Sequence, residues 1–127
     1  MTRFLSTEWV SALGQALQDA GITTDGAPPL VIQQLVTHED GTRSAYRIRL
    51  DSDGAEAVDG VAPDATVVYR QSYEVARGIA EGDLDAHVEF LMGRVVVSGD
   101  TKALMDYRET LELLHAALAD LRAGTEF

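Results

Sequence analysis

Apolar positions in the first twenty residues recur at helical spacing: Trp9, Leu13, Ala16, Leu17 and Ala20 share one stripe. Ser6 stands where an N-cap is needed, with Thr7 and Glu8 in the first turn. Leu5 and Val10 have the spacing of a hydrophobic staple, and Gly21 ends the helix. After a linker, Thr23 to Pro29, the period changes to two. Leu30 to Thr37 and Ser44 to Leu50 read as strands joined through Asp40-Gly41, a hairpin signal. With that pair as the two central turn residues, Leu35 faces Tyr46, Gln33 faces Ile48 and Val31 faces Leu50. A one-residue bulge at the turn reverses the first strand.

Asp53-Gly54 marks another turn, followed by a weak strand from Ala55 to Val58 and a fourth strand from Ala65 to Arg70. Ser72 caps a short helix ended by Gly82, and a second short helix runs from about Asp85 to Met92 before Gly93. Arg94 to Ser98 is the fifth strand. Asp100 is expected to cap a long last helix with Leu104, Tyr107, Leu111, Leu114, Leu118 and Leu121 on one stripe. This order predicts an α+β fold: a five-stranded, mainly antiparallel sheet with helices on one face.

Alternation also assigns the faces. Arg47, Arg49, Arg70 and Arg94, with Thr66 and Ser98, fall on the polar side, opposite Tyr46, Ile48, Leu50, Val67, Tyr69, Val95 and Val97. The arginine-bearing face is either solvated, with local ion pairs, or a homodimer contact, since Val68 and Val96 join it.

Net charge changes the picture next. At −11, the chain is a poor partner for nucleic acid and for an anionic membrane surface. The absence of cysteine removes disulfides and thiolate metal sites. No signal peptide or membrane-length apolar run stands out, so a cytoplasmic location is expected.

Signals for catalysis are sparse. His38, His87 and His115 show no metal-ligand spacing, so no metal is expected. His38 reads as a solvated loop residue and His115 as lying at the rim of an apolar stripe. No nucleophile elbow and no phosphate-cradling glycine loop occurs, so neither a catalytic residue nor a cofactor is assigned. Paired carboxylates such as Glu109 and Glu112 suit a solvated acidic face.

The run from Asp64 to Tyr107, with Phe90-Leu91-Met92-Gly93 and Gly99-Asp100 in place, resembles the sterol carrier protein 2-like domain in its actinobacterial single-domain form. The resemblance spans residues 1–122; residues 123–127 are expected to form a C-terminal tail with the look of a cloning scar. It implies an apolar tunnel between sheet and helices that binds or transfers a hydrophobic small molecule: a fatty acid, acyl chain, sterol-like or polyketide-like compound. An enzyme or auxiliary protein of hydrophobic secondary metabolism, of cyclase or isomerase type, is the alternative use of the same cavity. The walls implied by the family architecture and the alternation are Leu35, Tyr46, Ile48, Val67, Tyr69, Val95 and Val97 from the sheet. From the helices come Trp9, Ile79, Leu84, Phe90, Leu91, Leu104 and Leu111. Gln33, Tyr46, Tyr69 and His87 are the polar pocket candidates.

Overall fold

The helix expected after Ser6 forms as α1 (Thr7–Asp19). Ser6 Oγ accepts the Trp9 N–H at 3.1 Å, which satisfies one of the amides a helix start leaves free. The computed structural model describes all 127 residues. Preceding α1 is a two-residue strand, β1 (Thr2–Arg3). Then follow β2 (Leu30–Thr37), β3 (Arg43–Leu50), β4 (Ala55–Asp59) and β5 (Val67–Ser72). Two short helices come next, α2 (Tyr73–Glu81) and α3 (Ala86–Leu91), then β6 (Val95–Gly99). The chain closes with α4 (Lys102–Asp106), α5 (Arg108–Leu121), a 3₁₀ turn (Arg122–Gly124) and β7 (Thr125–Glu126).

The main sheet has the order β4-β3-β2-β5-β6. Its pairs are antiparallel except β2 with β5, which run parallel. The sequence alternation is consistent with the antiparallel pairs but carries no trace of the parallel one. That pairing forces the chain to cross from the β4 edge to β5. It does so through the loop Gly60–Thr66, pinned where Thr66 N–H donates to the Val31 carbonyl at 2.8 Å and the Val31 N–H to Thr66 Oγ1 at 3.0 Å.

The hairpin takes the bulged form. The Gly41 N–H donates to the His38 carbonyl, and the His38 N–H to the Thr42 carbonyl at 2.8 Å. Asp40 Oδ1 accepts both the amide and the hydroxyl of Thr42, bonds that hold its carboxyl below the usual carboxylate range. Gly41 takes the left-handed conformation (φ 85°) that completes a three-residue loop. Leu30 therefore pairs with Leu50, Ile32 with Ile48 and Gln34 with Tyr46. The whole of β2 is turned over relative to a two-residue turn: Leu35 and Gln33 lie on the outer face, and Ile32, Gln34 and Val36 look toward the helices.

The last helix breaks at Tyr107 (φ −107°, ψ 22°), whose hydroxyl donates to the Pro28 carbonyl at 2.5 Å. Thr101, not Asp100, precedes α4, and no side chain caps either segment. The final residues are part of the fold rather than a free tail. β7 pairs with β1 in parallel, Phe127 packs on Phe4 with ring centroids 5.3 Å apart, and Trp9 Nε1 donates to buried Thr125 Oγ1 at 3.2 Å.

Candidate functional site

The face of the sheet beneath the helices is built in rows. One reads Ala57, Ile48, Ile32, Val67 and Gly99 across the five strands; the next reads Asp59, Tyr46, Gln34, Tyr69 and Val97. A third holds Ser44, Val36, Gln71 and Val95. A largely apolar floor thus carries a polar strip, with Tyr46, Gln34 and Tyr69 side by side, Gln71 and Ser44 in the next row, and exposed Asp59 at the β4 end. Gln71 Nε2 donates to Gln34 Oε1 at 2.8 Å. Burial pushes both phenols, Tyr46 and Tyr69, above the ordinary tyrosine range, with no hydrogen bond to offset it.

The roof over this floor is uneven. Above β3 and β4, α1 places Leu13 and Leu17 against Ile48 and Leu50, all four at most 1% exposed. Gly14 lets α1 approach closely, since a methyl there would stand 3.3 Å from the Ala57 amide nitrogen. Aromatic rings close that end: Trp9 meets Phe4 and Tyr46 edge-on at 5.0 and 5.5 Å. Above β5 and β6 the cover is α2, α3, α4 and α5, and Tyr69, Val97, Ile79, Leu84, Leu104 and Leu111 all keep partial access to solvent. A side chain at Gly78 would collide with Leu84, which lies directly against the bare backbone of α2.

Of the residues expected as tunnel walls, Trp9, Tyr46, Ile48, Val67 and Val95 are buried, while Tyr69, Val97, Leu104 and Leu111 pack against the same core from its half-exposed side. Phe90 and Leu91 stand out in solvent, 44% and 68% exposed, because α3 turns its other side, with buried Glu89, inward. Arg94 donates to the Glu89 carboxylate and holds it below the usual carboxylate range. This charge was expected on the outer sheet face. His87 is exposed and leaves the pocket set; His115, expected at the rim of the α5 stripe, is exposed as well. His38 is no free loop residue: it stacks on Tyr73 at 4.9 Å, with Nε2 2.6 Å from Ser44 Oγ.

Leu35 and Gln33 leave the wall with the turned register. Gln33 is instead the anchor of the crossing loop. Its Oε1 accepts the Ala62 N–H at 2.6 Å, and its Nε2 donates to the carbonyls of Tyr46 and Gly60 at 3.0 and 3.1 Å. The residues that replace them on the inner face, Gln34 and Gln71, were missed. Asp40 with Thr42 two positions on was the one sequence signal for the bulge that brings Gln34 inward.

On the outer face, Arg47 donates to the Asp59 carbonyl, Arg49 pairs with Asp64 at 3.4 Å and Arg70 donates to Ser98 at 2.7 Å. Two open hollows, of about 370 and 320 Å³, lie elsewhere. One sits where the end of α1 meets the β3–β4 turn, the other between the Pro28-Pro29 linker and α4, and none of the expected wall residues lines either. No group of His, Asp and Glu is placed to hold a metal ion. No helix is long and apolar enough to cross a membrane.

No protein-family model and no curated protein matches the sequence. Solved structures do match. A conserved hypothetical protein from Thermus thermophilus, named as a candidate sterol carrier protein, superposes with a TM-score of 0.70 at 18% identity, over 94% of this chain and 90% of its own. A crystal structure of sterol carrier protein 2 gives 0.70 at 19% identity, over 92% and 98%. The palmitated sterol carrier protein 2-like 2 of Aedes aegypti gives 0.58 at 16%, over 81% and 91%. Strand order, helical cover and near-complete overlap agree: this chain has the sterol carrier protein 2 fold.

Proposed function

We propose that this protein binds and carries a hydrophobic small molecule between the β5–β6 half of the sheet and the short helices above it. The observation that carries the reading is the incomplete roof: Tyr69, Val97, Leu104 and Leu111 belong to the apolar core yet retain access to solvent. Apolar surface left there is surface a ligand can cover, at about 25 cal/mol per Å² removed from water. A chain entering there would displace α3 and α4, six and five residues long, which have the least helix of their own to lose. The palmitated neighbour of the same fold supports the ligand class.

Native mass spectrometry of freshly purified protein tests the reading. Adducts of lipid mass, removed by organic extraction and restored by added lipid, are the expected result. Trp9 offers a second readout, since its ring lies 5.5 Å from Tyr46 at the inner end of the polar strip. A protein that takes up no lipid by either measurement is no carrier.

A further inference from the structure

We infer that the ligand carries an uncharged hydrogen-bonding group, a hydroxyl or a carbonyl, held by the strip of Tyr46, Gln34, Tyr69 and Gln71, and that free carboxylates are disfavoured. This rests on the carrier reading and adds the chemistry of the cargo. The strip crosses the inner face without a break, from β3 through β2 to β5, by direct register pairs. Tyr46 is only 8% exposed and Tyr69 is half-buried, so the strip is deepest at its β3 end and most open at β5. Its bonding capacity is largely unspent. Gln71 donates to Gln34, which leaves the Gln34 amide nitrogen and the Gln71 carbonyl oxygen free, together with both tyrosine hydroxyls. Donors and acceptors are therefore both on offer, as a hydroxyl needs.

What the strip lacks is positive charge. Of the ten basic residues, Arg43, Arg47, Arg49 and Arg70 lie on the outer face of the sheet. The other six, Arg3, Arg77, Arg94, Lys102, Arg108 and Arg122, are exposed, and Arg77, Arg94 and Lys102 are already paired with Glu81, Glu89 and Asp106. His38, whose partner Ser44 lies in the row next to the strip, is engaged with Ser44 and Tyr73. A carboxylate carried onto the strip would be a buried charge without a counter-ion, which is strongly unfavourable. One left outside would sit in the field of a protein of net charge −11 and would leave the strip facing methylenes. Phosphate-bearing acyl carriers meet the same repulsion.

Four ligands with one sixteen-carbon chain separate these cases: hexadecanol, methyl palmitate, palmitate and hexadecane, delivered from cyclodextrin and followed by Trp9 fluorescence. Hexadecanol and methyl palmitate should bind about tenfold or more tightly than palmitate, and severalfold more tightly than hexadecane. In Tyr69→Phe and Gln71→Leu, the hexadecanol affinity should fall about 3- to 10-fold, the equivalent of one hydrogen bond, with hexadecane unchanged. Palmitate binding as tightly as hexadecanol, or hexadecanol indifferent to both substitutions, overturns the inference and leaves the carrier reading standing. Failure of all four ligands to bind overturns the carrier reading itself.

Discussion

One face of one sheet is covered in two different ways. Over β3 and β4 lies α1, thirteen residues with an unbroken apolar stripe, and Leu13, Leu17, Ile48 and Leu50 at that contact are at most 1% exposed. Over β5 and β6 lie α2, α3 and α4, of nine, six and five residues, beside the end of α5. A long helix presents a continuous stripe and excludes water along its length; short helices separated by Gly82 and Gly93 present fragments of one. Stability is thus concentrated in the α1 half, and the capacity to open, which the proposed function needs, in the other.

Truncations test this division most directly. Leu13→Ala or Ile48→Ala should cost about 2–5 kcal/mol in urea unfolding, the range for a large side chain in a core that cannot relax. Val97→Ala or Leu104→Ala should cost less than half as much. Equal losses on the two sides would erase the contrast.

The open half still has one rigid fixture. Gly99 adopts φ +95°, and a methyl on it would stand 2.6 Å from the Thr66 carbonyl oxygen. Gly99→Ala should therefore cost about 1–3 kcal/mol. A midpoint unchanged by this substitution would mean that the β5–β6 end gives way as readily as the helices above it.

On the sealed side, Thr125→Val removes the acceptor of the Trp9 indole N–H and leaves that buried donor unpaired. The expected cost is about 1–2 kcal/mol, with a shift in Trp9 emission. An unshifted spectrum would argue that this corner is wetter than described.

Alkaline stability compares the halves through their tyrosines. Tyr46 and Tyr69 titrate higher in the folded protein than in the unfolded chain, where the phenol value is about 10. Their contribution is complete below that pH and is lost as pH rises beyond it. Tyr46→Phe should flatten the alkaline loss more than Tyr69→Phe, since Tyr46 is the more deeply buried. The reverse order would place the water on the wrong side. The smallest effect belongs to Glu89, whose folded value is lowered by Arg94. Its contribution is present above about pH 4.5 and fades as pH falls. Unfolding of Glu89→Gln should depend less on pH below that point.

Features written into neighbouring residues were legible in the sequence. Ser6 and Ser72 cap the helices they precede, and β2 has the limits its apolar run implies. Tyr46, Ile48, Val67 and Val95 face the helices as their alternation requires. What was illegible depended on partners far along the chain. The bulge turned on a carboxylate reaching Thr42, and with it went the faces of Leu35, Gln33 and Gln34. The burial of Gln33 depended on a loop 29 positions away. The parallel pairing of β2 with β5 has no local signature, because a strand buried on one face alternates alike whichever way its neighbour runs. The break at Tyr107 interrupts an apolar spacing that continues through it.

The latch between β1 and β7 has a practical side. Trp9 meets the hydroxyl it donates to across 116 positions of sequence, so during synthesis the indole waits until Thr125 has been made before that corner can shut. An affinity tag joined directly to β1 or β7 would tug beside the lone tryptophan of these 127 residues, and optical titrations belong on material from which such handles have been cut.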